Sequence, residues 1–409
     1  MKTIVIGGGA AGLISAYYSA LNGDDVTIIE QNEKVGKKIY ITGKGRCNVT
    51  NDCEPEEFLK NVVTNSKFLY GSIFSFPPEK LIQLLESSGL ILKTERGRRV
   101  FPLSDKSSDV IKSLEKLCLS QNVKINLCEK VIKIADNNGK IEKVFTDKSI
   151  YKCNKVIICT GGVSYPSTGS KGDGYFFAKE LGHTIISPKP ALCPIEISNS
   201  FCKELQGVSL KNVKLTLKNK EKVIFSELGE MIFTHFGVSG PIVLSCSSFI
   251  NKYNANDLTL SIDLKPALTF EQLDDRVQRD FLKYKNRDLQ NSLNELLPKS
   301  LIKVIIELSG IPFYKKNDVI TKDERKKLVT VLKNIDLKIK RLRPIEEAII
   351  TSGGINVKEI NPKTMESKLV KGLYFAGEVL DVDALTGGYN LQIAFSTGFM
   401  AGNARSYND

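Results

Sequence analysis

A strand, a run of glycine and alanine, and a helix open the chain, and no other stretch constrains its fold as tightly. Ile4-Val5-Ile6 reads as a buried strand. Gly7-Gly8-Gly9-Ala10-Ala11-Gly12 supplies G-x-G-x-x-G, and Leu13 to Leu21 reads as a helix. A second apolar run, Val26-Thr27-Ile28-Ile29, ends in Glu30, eighteen residues after Gly12. This is the layout of a dinucleotide-binding βαβ unit. Gly7 permits the tight turn. Gly9 has no side chain, so a pyrophosphate can approach the backbone. Gly12 lets helix and strand pack closely. The helix N-terminus offers free N–H groups and a positive dipole end to phosphates. Glu30 can accept hydrogen bonds from ribose hydroxyls, which favours an unphosphorylated ribose.

At 409 residues the chain is long enough for two or three domains. No run is long enough to span a bilayer and no signal peptide is evident, so no membrane partner and a cytoplasmic location are expected. Nine cysteines form no C-x-x-C pair, and only His183 and His235 accompany them. That pattern fits a reducing compartment and argues against a metal site. The formal net charge of +12 is high for an enzyme that meets only small metabolites, and it invites a polyanion. A surface of solvated lysines explains the same charge equally well.

The predicted organisation is one nucleotide-binding domain made of both chain ends, residues 1–190 and 344–409, with two inserts. Residues 191–265 read as short strands, and residues 266–343 as charged amphipathic helices with a basic exit. The helical insert holds eighteen Lys and Arg against eleven Asp and Glu, an excess of seven positive charges. Near the end, Gly372-Leu373-Tyr374-Phe375-Ala376-Gly377-Glu378 reads as a strand ending at a ligand. Thr386-Gly387-Gly388-Tyr389-Asn390 opens a helix expected over about 390–404. One nucleotide fingerprint and a glycine-rich return fit a single dinucleotide held permanently, FAD rather than NAD. A helix N-terminus at the flavin would stabilise its anionic reduced form.

Several long blocks carry a family resemblance. They are Thr42-Gly43-Lys44-Gly45-Arg46-Cys47-Asn48-Val49-Thr50-Asn51, the stretch from Thr160-Gly161-Gly162 through Gly174, Phe233 through Pro241, Thr364-Met365-Glu366-Ser367, and Gly377 through Gln392. In these the chain resembles the BaiN/YhiN (RdsA-like) flavoprotein family over nearly its whole length. One departure is Cys159, where the family more often has Ala. The resemblance implies an α/β fold: a Rossmann-like FAD-binding domain with an inserted small β-barrel plus helical subdomain. It implies FAD as cofactor, with NAD(P)H as a transient electron donor.

Motif and resemblance together give the expected cofactor-binding set. The N-terminal part is Gly7, Gly9, Ala10, Ala11, Gly12, Glu30, Gln31 and Lys38, then Gly45, Arg46 and Asn48. The rest is Val131, Thr160, Gly161 and Gly162, with Gly377, Glu378, Asp381, Gly388, Tyr389, Asn390 and Leu391 from the tail. Arg46 is expected to neutralise the pyrophosphate or the reduced flavin. Cys47 and His235 are the catalytic candidates. Cys47 sits among cations that would lower a thiol pKa, and it reads either as a proton donor to carbon or as a small residue packed against FAD. His235 reads as a donor to a substrate carbonyl or as a hydrogen-bonded structural histidine.

Family members carry several labels: bile-acid steroid reductase, aminoacetone oxidase and, in one branch, formation of dihydrouridine in 23S ribosomal RNA. The basic balance favours ribosomal RNA as partner. A small-molecule enone reductase or amine oxidase is the alternative, and a non-enzymatic flavin-bearing RNA-binding factor is a third class. The cations expected to grip RNA phosphates are Lys315, Lys316, Lys326, Lys327, Arg341 and Arg343.

Overall fold

A computed structural model describes residues 1–254 and 257–405. The chain divides into two compact units, Met1–Ala191 with Ile345–Asp409, and Leu192–Pro344.

The first unit is built on a five-stranded sheet. Its order is Leu373–Phe375, Lys155–Ile158, β1 (Lys2–Ile6), β2 (Asp25–Ile29) and Lys124–Asn126. Every pairing is parallel. A parallel sheet is covered on both faces, so its strands are continuous apolar runs rather than alternating ones. Val5, Ile28, Val156, Ile157, Ile158 and Phe375 are accordingly all fully buried. Between β1 and β2 runs the helix α1 (Ala10–Leu21).

The C-terminal helix, Tyr389–Asn403, begins one residue before the sequence expectation. It lies directly on α1 because Gly398 and Gly402 remove the side chains that would separate them. A Cβ at Gly398 would sit 2.6 Å from the Ala11 carbonyl oxygen, and one at Gly402 2.5 Å from that of Ser15. Ala11 faces Gly398 and Ser15 faces Gly402, so the two helices run in the same direction. The last carbonyls of the C-terminal helix meet a buried cation: Lys155 Nζ donates to the Gly402 and Ala404 oxygens at 3.2 and 3.0 Å.

Pro77-Pro78 marks a helix start. The helix Pro78–Ser87 opens on the second proline, where a missing N–H costs nothing. Ser104-Asp105, a cap-like pair just ahead of the next helix, does not cap it. That helix is Ser107–Ser120, it starts after Lys106 without a side-chain cap, and Asp105 is drawn into an ion pair instead.

The second unit holds a seven-stranded sheet in the order Ile335–Leu337, Leu258–Asp263, Ser209–Asn219, Lys222–Thr234, Gly237–Ser239, Ile195–Ile197, Ile339–Leu342. The first and last strands are consecutive in sequence with only Lys338 between them. The two edges are therefore joined by one stretch of chain. Besides Phe201–Glu204 and Pro241–Ile250, three longer helices, Phe270–Lys283, Lys299–Ser309 and Lys322–Lys333, accompany it. The first and third start in capping boxes, Thr269 with Gln272 and Thr321 with Glu324. Strands and helices share one apolar core that includes Leu215, Leu260, Leu301 and Leu328. Among the described residues no helix is long and apolar enough to cross a membrane.

Candidate cofactor site

The glycine loop joins β1 to α1, and its three fingerprint glycines do three different things. Gly7 has φ +100°, and a Cβ there would lie 2.6 Å from the Cys159 carbonyl oxygen. A Cβ on Gly12 would lie 1.9 Å from the Gly7 oxygen. A Cβ on Gly9 would meet nothing within 4 Å. Two glycines are thus required by the protein's own packing, while the third keeps a space open. Beyond it, α1 has no side-chain cap and no acidic residue in its first turn. Leu13 is the first amide to find an intrahelical acceptor, on Gly9 at 3.0 Å. Ala10, Ala11 and Gly12 are the orphan donors of this terminus, a ready anion site.

Glu30 closes the end of β2, 8% exposed. Its carboxylate accepts the Gly8 N–H at 2.8 Å, the Asn32 N–H at 2.9 Å and Asn32 Nδ2 at 2.6 Å. A carboxylate has about four lone-pair sites, so room remains for a ribose hydroxyl. The sequence reading missed that Glu30 also pins the loop. Gln31 donates to the Gly169 carbonyl at 2.6 Å. Val131 is buried at the start of the strand Val131–Asn137.

The other expected residues gather around two further turns. Gly161 has φ +73°, and a Cβ on Gly162 would lie 2.3 Å from Thr351 Oγ1 and 2.8 Å from Glu378 Oε1. Lys38 Nζ reaches Glu378 Oε2 and Ser164 Oγ, each at 2.6 Å, and Glu378 Oε1 accepts the Thr351 N–H at 2.9 Å. Lys38 and Glu378 therefore bind one another across the sequence. Ser164 and Thr351 complete the network. Thr351 had no local signal, because its role depends on a partner 27 residues away. Gly377, with φ +81°, donates its N–H to Thr397 Oγ1 at 2.9 Å. Asp381 is held by Asn65, which donates to its carbonyl at 2.7 Å and to its carboxylate at 3.0 Å.

Gly388 caps the C-terminal helix at φ +99°, where a Cβ would fall 2.4 Å from the Thr50 carbonyl. This second helix start also has neither a side-chain cap nor an acidic first turn. Tyr389 is buried edge-on to Phe58, and Leu391 is half-buried. Asn390 turns its side chain to the Ala384 backbone, accepting at 3.0 Å and donating at 2.8 Å, so it shapes the preceding loop. Gly398 is level with Ala11, and the two helices are parallel. Their N-termini are therefore offset by eight residues, about 12 Å along the axis at ~1.5 Å per residue. Two positive dipole ends at that spacing suit the two ends of an extended dinucleotide, a pyrophosphate at α1 and an electron-rich ring at the later helix.

Two buried polar atoms add to the fit. Asn48 Oδ1 and Thr160 Oγ1 have no hydrogen-bond partner within the protein. Buried polar atoms left in this state are costly, and a ligand with hydroxyl or ring N–H donors would satisfy them. Gly45 turns beside Asn48 at φ +85°. These features fit FAD.

Three expectations change. Arg46, expected at the pyrophosphate, is taken up by Glu95 at 2.5 Å and Asp105 at 2.6 Å, and it lies over the Phe101 ring at 4.3 Å. Arg46 holds the Glu95 carboxyl below its usual range, and Lys93 and Arg46 do so for Asp105. Cys47, expected beside cations that lower its pKa, is fully buried at φ +59°, and burial pushes its thiol up to about 12. With no exposed surface it reads as packing beneath the loop. His235 is exposed in the turn after the strand Lys222–Thr234. Its one recorded neighbour is the Phe236 ring, edge-on at 4.9 Å, so it is not the hydrogen-bonded structural histidine. It lies in the second unit, apart in sequence from every residue of the cofactor set. Among the described residues no cluster of His, Cys, Asp and Glu is arranged to hold a metal ion.

Comparison with known proteins sets this geometry in a family. The model of the HI0933-like protein Rossmann domain matches residues 1–404. The chain is 32% identical to the 3-dehydro-bile acid delta(4,6)-reductase of Clostridium scindens, over 98% of each chain. It is 31% identical to the ribosomal RNA dihydrouridine synthase of Haemophilus influenzae, over 97% of this chain and 96% of that one. In fold it is similar to the 3-ketosteroid-delta4-(5alpha)-dehydrogenase of Rhodococcus jostii RHA1, with TM-score 0.54 and 13% identity over 98% of this chain and 96% of that one. The chain belongs to the HI0933-like family, a family of FAD-dependent oxidoreductases with a Rossmann-like cofactor domain.

Proposed function

We propose that the protein is an FAD-dependent reductase that takes its electrons from NAD(P)H and forms dihydrouridine in ribosomal RNA. The names of its relatives point to one reaction class. Making dihydrouridine, and reducing the delta(4,6) bonds of a 3-dehydro bile acid, both add a hydride and a proton across a C=C bond conjugated with a carbonyl. FAD, when bound, supplies the two-electron chemistry between a nicotinamide donor and such a bond. The chain's own part is to hold the pyrophosphate at the orphan amides of α1 and to keep Gly9 bare for its approach. It also places the N-terminus of Tyr389–Asn403 where negative charge develops on reduction.

The observation that carries the RNA reading is the charge of +12 together with how little of it is neutralised in places. Lys326 and Lys327 stand exposed on the helix Lys322–Lys333 without an ion-pair partner among the described residues. Four of the six cations expected to grip phosphates are not available in that way. Lys315 is bound to Glu324 at 2.6 Å and Lys316 to Asp288 at 2.8 Å. Arg341 and Arg343 share Glu196 at 2.8 and 2.7 Å. The small-molecule alternative is favoured by the bile-acid reductase, which is as similar as the RNA enzyme.

The test is nucleoside mass spectrometry of ribosomal RNA from a strain lacking the gene. The proposal expects a dihydrouridine to disappear and to return when the gene is restored. Unchanged dihydrouridine rejects it in favour of the small-molecule enzyme.

A further inference from the structure

Three lysines of the first unit meet at a place where parallel sheets rarely bind anything. Ligands of such sheets sit at the carboxyl ends of the strands, where the glycine loop lies. A cleft of about 400 Å³ opens at the other end of β1, lined by Lys2, Lys140, Lys152, Asn137, Asn154 and Glu142 among others. Lys2 starts β1, Lys140 starts the strand Lys140–Thr146, and Lys152 ends the strand Ile150–Lys152. Three separate segments thus each bring one exposed ammonium group to one cleft. None of the three forms an ion pair among the described residues, and the single carboxylate, Glu142, is already bound to Lys143 at 3.0 Å.

The backbone indicates which anion belongs there. Compact anions such as a free phosphate are usually cradled by unused N–H groups in a nest or a helix N-terminus. Here the amides are spent. Lys2 N donates to Asn154 Oδ1 at 3.2 Å, and Asn154 N to the Lys2 oxygen at 2.9 Å. Cys153 N donates to the Glu142 oxygen at 3.0 Å, and Ile141 N to that of Lys371 at 3.0 Å. What remains is three mobile point charges without a fixed cradle, which is how proteins track a nucleic-acid backbone.

We propose that this cleft holds the phosphodiester backbone of a single-stranded nucleic acid. For the identity of that strand as RNA it rests on the reading above. The cleft lies about 17 Å from the glycine loop, five residues of strand at ~3.3 Å each, so the strand does not compete with the dinucleotide. It anchors the substrate away from the base being reduced.

The experiment measures binding of a short labelled single-stranded RNA to the full-length flavoprotein by fluorescence anisotropy across a series of KCl concentrations. Wild type is compared with Lys2→Glu/Lys140→Glu/Lys152→Glu and with the same three changed to Gln, which guards against a folding defect. Flavin content and Tm are read alongside. Each phosphate contact contributes about −0.7 to the log–log salt slope, so losing three should flatten it by about 2 and weaken binding at least tenfold. An unchanged Kd and slope in both folded variants overturns the inference. Inorganic phosphate and ADP are added at matched ionic strength. If either displaces RNA more effectively than chloride does, the cleft is a compact-anion site and the strand assignment falls. No RNA binding by wild type overturns the inference as well. The substrate reading is judged separately by the dihydrouridine content of the deletion strain's RNA, so loss of dihydrouridine with indifferent cleft variants leaves that reading standing alone.

Discussion

The glycine loop at the start of the chain and the basic insert at 266–343 announce themselves equally loudly in the sequence, and the structure treats them differently. In the loop, the features that matter are properties of the backbone. Gly7 needs a positive φ, Gly12 must let an oxygen approach, and Gly9 must leave a space. The φ of Gly7 and the approach of its oxygen to Gly12 are settled within a few residues, so the letters alone reveal them. In the insert, the feature that matters is which cations are free, and this is settled by tertiary partners. Arg341 and Arg343 look like a basic exit until Glu196, some 145 residues earlier, pairs with both and shares its one negative charge between them. Local backbone chemistry can be read from a sequence; free charge depends on what folds beside it.

The sharpest way to break this comparison is at the loop, where one motif should fail in two ways. Gly12→Ala forces a Cβ to 1.9 Å from the Gly7 oxygen. Overpacking of this kind costs about 1–3 kcal/mol or more, and Tm should fall by several degrees with the flavin lost. At Gly9 an added Cβ meets no protein atom within 4 Å, so Gly9→Val should keep close to wild-type Tm in the apo form and release its FAD. Thermal melts and flavin absorbance separate the two. A Gly9→Val protein that stays yellow would remove the pyrophosphate from this position.

A buried cation gives the next largest effect. Desolvation lowers the Lys155 pKa from 10.5 to about 8. The unfolded chain keeps its proton up to pH 10.5, while the folded one sheds it near 8. Between these values the unfolded state binds more protons, so stability rises with pH across that window and is flat below it. The span corresponds to about 3 kcal/mol. Denaturant melts from pH 7 to 10.5 should show the rise in wild type and lack it in Lys155→Met. Parallel curves would mean that Lys155 is more hydrated than its complete burial implies.

The insert can be sharpened by giving it back its charge. Glu196→Gln removes the partner of Arg341 and Arg343. If RNA meets this surface, the salt slope of RNA binding should steepen by up to about 1.4, two contacts at ~0.7 each. An unchanged slope places the RNA-binding charge elsewhere. The smallest effect is expected at Cys47. A fully buried thiol whose pKa sits near 12 is a poor proton donor, so Cys47→Ala should keep FAD and stay within about threefold of wild-type turnover, where loss of a general acid costs at least ~10²-fold.

Legibility follows the same division elsewhere. The parallel sheet was visible in its unbroken apolar runs, and the C-terminal helix in the glycines that start it. Glu30 was visible as an acid at the right spacing, but not as the group that pins Gly8, because that needs the loop folded back on β2. Arg46 was misjudged for the same reason as the insert: Glu95 and Asp105, about fifty residues on, claim it. Cys47 read either as a proton donor or as packing, and its burial favours packing; only the expected lowering of its pKa by neighbouring cations fails, because burial raises it. Arg46, the adjacent cation, is bound to Glu95 and Asp105 while the thiol is fully buried.

The most direct test of the central claim is anaerobic reoxidation of the prereduced flavoprotein by protein-free ribosomal RNA from a strain lacking the gene, set beside a steroid enone. Flavin absorbance and nucleoside mass spectrometry are followed together. The account predicts that the RNA reoxidises the flavin, with one dihydrouridine formed per flavin turned over, faster than the enone does at equal concentration. Reoxidation by the enone alone, with no dihydrouridine formed, would contradict it.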